Sequence, residues 1–177
     1  TLRSSRPAPA WHLARKALAV IIRLAGQAPC RRGRLSSNVR AHMQVRAIQP
    51  HELEPVRQLL LGAGWERQVA TAEEFALLVA QSQLSLVAVR DGEVVGYLRA
   101  LTDGLTNGYI SMVVVHPAHQ RRGIGKALVL AAMGGNERMT WVLRAGRSDG
   151  VVTFYEKLGF SRSAVAMERP GKFKPPT

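Results

Sequence analysis

The sequence is poor in the residues from which several classes of functional site are built. Its single cysteine, Cys30, excludes an intramolecular disulfide framework and any zinc site made of several cysteines. A reducing compartment is therefore permitted, and we expect the cytoplasm. No apolar run approaches the roughly 18 residues that a membrane-spanning helix needs, so we expect no membrane partner. Aromatic residues make up only 6% of the 177 residues, but hydrophobic residues make up 46%, enough for the core of one domain.

Acidic residues are absent from the first 42 residues, which carry nine Lys or Arg. The net charge of +13 for the whole chain would by itself suggest a nucleic-acid partner. Residues 43–177, however, carry sixteen basic and twelve acidic residues, a net charge of only +4. Most of the charge therefore belongs to a basic leader, and nucleic acid is not favoured as a partner of the rest.

We expect the leader, residues 1–42, to be disordered or non-native. It is rich in Arg and Ser, as organellar transit peptides are, and its Ala-rich centre is weakly typical of a secretory signal. Met43 is followed at once by an alternating strand pattern, so translation from ahead of the true start is another interpretation. A third is a basic arm that binds acidic partners, in which case removal of the leader should abolish salt-sensitive polyanion binding.

From Met43 onward, strand and helix patterns alternate. Strands are predicted over 44–48, 84–90, 93–101, 110–115, 140–143 and 160–168, and helices over 51–61, 72–81, 123–133 and 149–158. Asp91-Gly92 and Asn107-Gly108 are predicted turns, and Gly96 indicates a bulge or a close approach. This order predicts an α/β domain over 43–170, with a mixed sheet covered by helices rather than a doubly wound one, followed by a flexible tail over 171–177.

The most informative stretch joins the strand at 110–115 to the helix that begins after Gly123. Pro117 ends the strand, and a short basic loop leads to Gly123 and Gly125. Free backbone N–H groups at a helix start, together with the positive end of the helix dipole, bind phosphate or pyrophosphate. The missing Cβ atoms allow the backbone to approach such an anion closely. The sequence therefore predicts an anion site here.

Two common phosphate-binding loops do not fit this stretch. A Walker A loop needs Ser or Thr after its lysine, and Lys126 is followed by Ala127. A Rossmann fingerprint needs Gly or Ala at its third position, where this chain has Leu128.

The run Q-R-R-G-I-G over 120–125 resembles the Q/R-x-x-G-x-G/A signature of the GNAT N-acetyltransferase superfamily, whose members bind acetyl-coenzyme A. The run V-V-V-H-P over 113–117 is similar to the family's lead-in to that loop. The run F-Y-E-K-L-G-F over 154–160 matches the family's C-terminal segment. The resemblance covers Met43 to about Glu168.

The resemblance implies a GNAT-like acyl-CoA N-acyltransferase fold, with a central, splayed, mostly antiparallel sheet flanked by helices. The strands around 110–115 and 140–144 would form a V-shaped cleft. Pantetheine would lie along the first of them, and the pyrophosphate would sit on the N–H groups of 121–126. The implied cofactor contacts are Val113, Val114, Val115, Gln120, Arg121, Arg122, Gly123, Ile124, Gly125, Lys126 and Ser148. Ser148 stands where many relatives carry asparagine, so its contact is the least secured by the pattern.

The implied reaction is direct attack of a primary amine on the thioester of acetyl-CoA, the co-substrate, through a tetrahedral intermediate. A backbone N–H near Val113 or Val114 would stabilise the oxyanion. Tyr155 would protonate the leaving thiolate as general acid. For the base, the alternatives are Tyr109, Ser111, His116 through water, Asp103 and solvent, and of these we carry Ser111 forward as the candidate on the strand itself.

Several alternatives stay open at this stage. The main rival function is a catalytically silent module that binds acyl-CoA as a sensor, and the absence of Asp and Glu from 109–115 suits it. The acceptor could be a small amine, an amino acid, an antibiotic, or a protein N-terminus or lysine, and a homodimer is open. Trp65 would line the acceptor pocket or belong to the core. His116 and His119 have no third ligand in view, so we expect no metal.

Overall fold

The computed structural model describes residues 43–146 and 149–169. Five strands are β1 Met43–Ala47, β2 Leu84–Arg90, β3 Glu93–Thr102, β4 Asn107–Val115 and β5 Thr140–Leu143. The α-helices are α1 Leu53–Leu61, α2 Ala72–Ala80, α3 Ile124–Met133 and α4 Asp149–Glu156, with single 3-10 turns at Pro50–Glu52 and Pro117–His119.

The five strands form one sheet in the order β1-β2-β3-β4-β5. The first three neighbouring pairs are antiparallel, and β4 and β5 are parallel. Parallel neighbours need a crossover connection, which α3 provides. The predicted mixed, mostly antiparallel sheet flanked by helices is therefore confirmed.

The sheet buries a separate apolar cluster on each face. Tyr97 packs with Phe75 of α2 and Leu60 of α1, whereas its neighbour Leu98 packs with Leu128 of α3 on the other face. Successive side chains of a strand point to opposite faces of the sheet, and here both faces are covered. The sequence of β3 is therefore apolar at nearly every position instead of alternating.

Several local predictions are confirmed. Thr71 caps α2, with its Oγ1 accepting a hydrogen bond from the N–H of Glu74 at 3.1 Å. Asp91 and Gly92 have φ of 53° and 85°, as a two-residue hairpin turn of the primed type requires. Gly96 shows both expected features: the β2–β3 register shifts beside it, and an added Cβ would lie 3.1 Å from Leu128 Cδ1.

The turn predicted at Asn107-Gly108 is wrong, because both residues belong to β4. The chain reverses at 103–106, where one Asp103 Oδ1 accepts the N–H groups of Leu105, Thr106 and Asn107 at 2.8–3.0 Å. That carboxylate accepts the backbone hydrogen bonds that stabilise the turn. Gly108 lies instead in the strand, where the ring of Trp141 packs over it.

The strand predicted over 160–168 is also wrong, since no strand is formed there. Ser163 Oγ accepts the N–H groups of Val165 and Ala166 at 3.2 and 3.0 Å. These local bonds take donors that a sheet ladder would use. Val165 and Met167 are 90% and 98% exposed, so no burial favours the extended form either.

The predictions for the leader, for Ser148 and for the tail 171–177 lie outside the described residues. Within 43–146 and 149–169, no helix combines the length and the apolar character needed to cross a bilayer.

Candidate active site

The central feature of the site is the divergence of β4 from β5. Residues 107–110 pair with 140–143, but β4 continues to Val115 whereas β5 ends at Leu143. Among the described residues, one edge of β4 therefore has no strand partner over 111–115, a free edge of about 16 Å at the usual rise per residue. On the other edge Ser111 is an extra residue, since Met112 pairs with Arg99 and Ile110 pairs with Ala100. A bulge of this kind bends a strand and increases its twist, which favours the divergence.

The free edge of β4 presents the main-chain groups of Val113 and Val115. The N–H of His116 donates to Val95 O across the β3 ladder at 2.9 Å. Bonded pairs alternate along an antiparallel ladder, so Val114 also faces β3 while Val113 and Val115 face the free edge. Of the two amides considered for the oxyanion, this direction favours Val113. The carbonyl of Val115 accepts Gln120 Nε2 at 3.2 Å, which ties the following loop to the strand end.

The loop that opens α3 presents an unpaired row of amides. The first backbone donor of the helix is Ala127, whose N–H bonds Gly123 O at 2.9 Å. The N–H groups of 121–126 have no acceptor in the described part of the chain. Arg121 and Gly123 have φ of 62° and 80°, and a left-handed residue beside a right-handed one turns successive N–H groups to one side. The result is a concavity lined by N–H donors, a shape that suits an anion.

Three exposed cations surround these amides. Arg121, Arg122 and Lys126 are solvent-accessible, and none takes part in an ion pair within the described ranges. Positive charge at the start of a helix adds to the attraction of its dipole for anions.

Gly125 brings the loop, β4 and α4 together. A Cβ at this residue would lie 3.3 Å from Phe154 Cζ and 3.7 Å from Val115 Cγ2. The absence of a side chain at Gly125 therefore serves the packing of α4 against the loop. Its neighbour Ile124 is buried in the core and contributes its main chain to the row of amides.

Tyr155 lies on α4, where its ring makes edge-to-face contacts with Phe154 and Phe160, at centroid distances of 4.9 and 5.7 Å. Burial raises the pKa of Tyr155 above 10, so the phenol is protonated at neutral pH and able to donate. Its hydroxyl has no hydrogen-bond partner among the described residues. The ring lines a cavity of about 1030 Å³ between β5, α4 and residues 158–166.

A second cavity, of about 590 Å³, lies between α1 and the end of β4. Its lining comprises Gln58, Leu59, Gly62, Ala63, Trp65, Val113, Val114, Val115, His116, Pro117 and Gln120. Trp65 also packs against the core cluster of this face. Tyr155 lines the first cavity and not this one.

The structure weakens three candidates for the base. The carboxylate of Asp103 accepts four hydrogen bonds in its turn, which hold its pKa far below the usual range. His116 Nδ1 accepts the N–H of Ala118 at 3.3 Å. Ser111 Oγ accepts from the guanidinium of Arg99 at 2.9 Å, and a neighbouring cation makes a hydroxyl less basic.

Sequence reasoning missed Arg99, which is only 8% exposed although it carries a charge. A signal was present in the sequence, because Arg99 lies two residues from Tyr97 in an otherwise apolar strand and so shares its inward face. The described residues contain no cluster of three or more His, Cys, Asp or Glu that could hold a metal ion.

Comparison with known proteins places this arrangement in a family. The model of the acetyltransferase (GNAT) domain matches residues 81–162, from the end of α2 through α4. Residues 81–162 form a GNAT domain. A GNAT family acetyltransferase from Streptococcus pneumoniae TIGR4 has the same fold, with a TM-score of 0.58 and 25% identity, over 73% of this chain and 98% of that one.

Two curated relatives of this GNAT chain are also similar in sequence. An uncharacterized N-acetyltransferase, ycf52, from Pyropia yezoensis is 34% identical over 118 residues, 64% of this chain and 65% of the relative. Glucosamine 6-phosphate N-acetyltransferase from Schizosaccharomyces pombe is 39% identical over 67 residues, 35% of this chain and 57% of the relative. The chain thus spans less than two thirds of the length of either curated relative.

Proposed function

We propose that this GNAT chain is an N-acetyltransferase that moves acetyl from acetyl-CoA to a primary amine. The observation that carries the proposal is the row of unpaired amides over 121–126, directly beside the free edge of β4. A pyrophosphate needs the first feature, and an extended pantetheine chain that pairs like a strand needs the second. Family membership supports the same co-substrate, and Ser148 belongs to this proposal as a further contact.

The proposed reaction uses groups on both sides of the divergence. The amine attacks the thioester carbon, and the oxyanion that forms accepts a hydrogen bond from the N–H of Val113. Collapse of the tetrahedral intermediate breaks the C–S bond, and Tyr155 donates its proton to the departing thiolate. The amine proton leaves to solvent or to one of the base candidates, among which Ser111 and Tyr109 remain proposals.

A primary amine is the acceptor class that we propose, from small molecule to protein. The S. pombe relative is named for an amino-sugar phosphate, which falls within that class. The cavity beside Trp65 adjoins Val113 and is therefore the candidate entry for the acceptor.

The rival function is an acyl-CoA sensor without catalysis. One observation favours it: β4 carries no carboxylate, and the nearby Asp103 is committed to its turn. A sensor needs the anion site but neither an acid nor a base.

The decisive experiment is release of coenzyme A thiol by the full chain with acetyl-CoA and a panel of amines. Tyr155→Phe should lower turnover by about 10²-fold or more, since it removes the general acid, and should leave coenzyme A affinity within about twofold. Tyr97→Phe is the matched control, because it also removes one phenol hydroxyl, which bonds Ser85 at 3.3 Å and has no part in the proposed reaction. Tight coenzyme A binding without turnover on any amine would favour the sensor.

We also propose that residues 43–170 form the catalytic unit and that the chain acts in the cytoplasm. A chain beginning at Met43 should keep its turnover, and cell fractionation tests the location against targeting by the leader. Loss of polyanion binding on the same truncation would instead assign the leader a binding role.

A further inference from the structure

Arg99 is a buried cation held by neutral partners. Its Nε donates to Ser82 Oγ at 2.7 Å, and its Nη1 donates to Ser111 Oγ at 2.9 Å. Ser82 in turn donates to Leu78 O at the end of α2. These bonds fix the plane of the guanidinium and leave part of its donor fork unused.

No full negative charge balances Arg99 within the described ranges. None of the ion pairs there includes it, and the titratable groups that interact with it electrostatically are the phenols of Tyr97 and Tyr109. Carbonyl groups at the end of α2 offer only partial compensation. Burying a charge without a counter-charge is costly, so a buried cation that keeps donors free is a candidate for binding an anion.

The guanidinium also remains within reach of a ligand. Among the described residues, the fully buried side-chain nitrogens that lack a partner are His119 Nδ1 and Trp141 Nε1. Arg99 Nη2 has no hydrogen-bond partner in the described part of the chain, yet it is not one of these fully buried atoms. Arg99 Nη2 therefore keeps some exposure to solvent.

Arg99 lies on the sheet face that carries the candidate acceptor cavity and not beside the amides proposed to bind the cofactor. Arg99 pairs with Met112, on the face of the sheet that packs against α1 and α2, and this face also carries the cavity beside Trp65. Its partner Ser111 is the bulged residue at which β4 leaves β5. The row of amides for the pyrophosphate begins at Arg121, beyond the far end of β4.

We propose that Arg99 binds an anionic group, a carboxylate or a phosphate, carried by the amine acceptor. This inference rests on the proposed function and narrows its acceptor class. A guanidinium held at Nε and Nη1 still offers N–H groups in its plane, which suit the oxygens of either anion. The ligand would supply the counter-charge that Arg99 lacks.

The experiment compares matched acceptor pairs that differ in the anionic group. One pair is an α-amino acid and its amide, and the other is an amino-sugar phosphate and the unphosphorylated amino sugar, so the two pairs separate carboxylate from phosphate. We expect the wild-type chain to favour the anionic member of one pair by about tenfold or more in kcat/KM. Arg99→Gln should remove that preference through a higher KM for the anionic member, while kcat/KM for the neutral member stays within about threefold.

Two further variants separate recognition from structural damage. Arg99→Lys keeps the charge and should retain part of the preference. Arg138→Gln, which removes a positive charge from an exposed position between α3 and β5, should leave the preference unchanged. A merely structural role of Arg99 would lower both members of a pair equally. If Arg99→Gln fails to fold, the preference of the wild-type chain within each acceptor pair and its change in Arg99→Lys test the inference.

Equal kcat/KM on both members of both pairs would overturn the inference and leave the proposed function intact. Absence of turnover on every amine would instead overturn the proposed function. In that case calorimetry of the same pairs on the coenzyme A-saturated chain decides the inference. Tighter binding of an anionic member supports it, and equal or absent binding overturns it.

Discussion

Gly108 allows β5 to pair with β4, and we predict that Gly108→Ala destabilises the domain. Gly108 pairs with Trp141, and the indole ring covers the position that a side chain would occupy. An added Cβ would lie 2.7 Å from Trp141 Cδ2 and closer still to Cε3 and Cζ3, nearer than Cβ atoms approach ring atoms in folded proteins. The ring is rigid, so relief requires a new rotamer of Trp141 or a shift of β5.

The magnitude follows from the cost of overpacking, typically 1–3 kcal/mol, and three ring atoms in contact put this site at the upper end, about 3 kcal/mol. For a domain of this size that loss lowers Tm by roughly 10 °C. Chemical denaturation followed by Trp fluorescence and by circular dichroism measures it. Gly135→Ala is the control, because an added Cβ there meets open space and should change stability by less than about 0.5 kcal/mol.

A double-mutant cycle tests the assigned cause. In a Trp141→Ala background the same Gly108→Ala change should cost less than about 1 kcal/mol, which gives a coupling of roughly 2 kcal/mol between the two positions. If Gly108→Ala is as stable as the wild type, or if its cost is the same in both backgrounds, the close packing of Trp141 on β4 is not what requires glycine.

Two other predictions concern charge. Lys126→Glu places a carboxylate beside the unpaired amides at the start of α3 and should weaken coenzyme A binding about tenfold, as measured by calorimetry. Arg138→Glu, beyond the other end of that helix, is the control and should leave the affinity unchanged. Equal affinities of the two variants would refute the assigned anion site. Glu52 is buried and accepts hydrogen bonds from Arg46 at 2.7 and 2.8 Å. These bonds are the main reason why the pKa of Glu52 is lowered from the ordinary value of 4.5. The charged form therefore stabilises the fold above pH 4.5, and this contribution is lost as the pH falls through the lowered pKa. Glu52→Gln should cost about 2 kcal/mol at pH 7, and the difference from the wild type should shrink in acid; a difference that stays constant down to pH 2 would contradict the ion pair as its source.

The conformation of the loop before α3 could be predicted from sequence because its determinants are local. Pro117 ends the strand, Gly123 supplies the positive φ before the helix, and both effects act within a few residues. The Asp91-Gly92 turn and the Thr71 cap were predictable for the same reason.

The errors arose where local signals competed. Asn107-Gly108 has the composition of a hairpin turn, but the turn forms at 103–106, where the carboxylate of Asp103 accepts backbone hydrogen bonds. The alternating pattern after Phe160 resembles a strand, but a strand needs a ladder partner and a buried face, and the segment around Val165 has neither.

The sequence by itself determined the order of elements from β1 to α4, the conformation of the loop before α3 and the resemblance to a family, since turns, caps and hydrophobic periods are properties of neighbouring residues. Only the tertiary structure decided where β4 leaves β5, that the amide of Val113 rather than Val114 faces the resulting gap, and that Arg99 is buried without a counter-charge from any described residue. Each of these depends on which distant segment lies alongside a residue, and a single sequence does not encode that in any local spacing. The bulge at Ser111 is the clearest case, because one extra residue is recognisable as extra only when the opposite strand is in place.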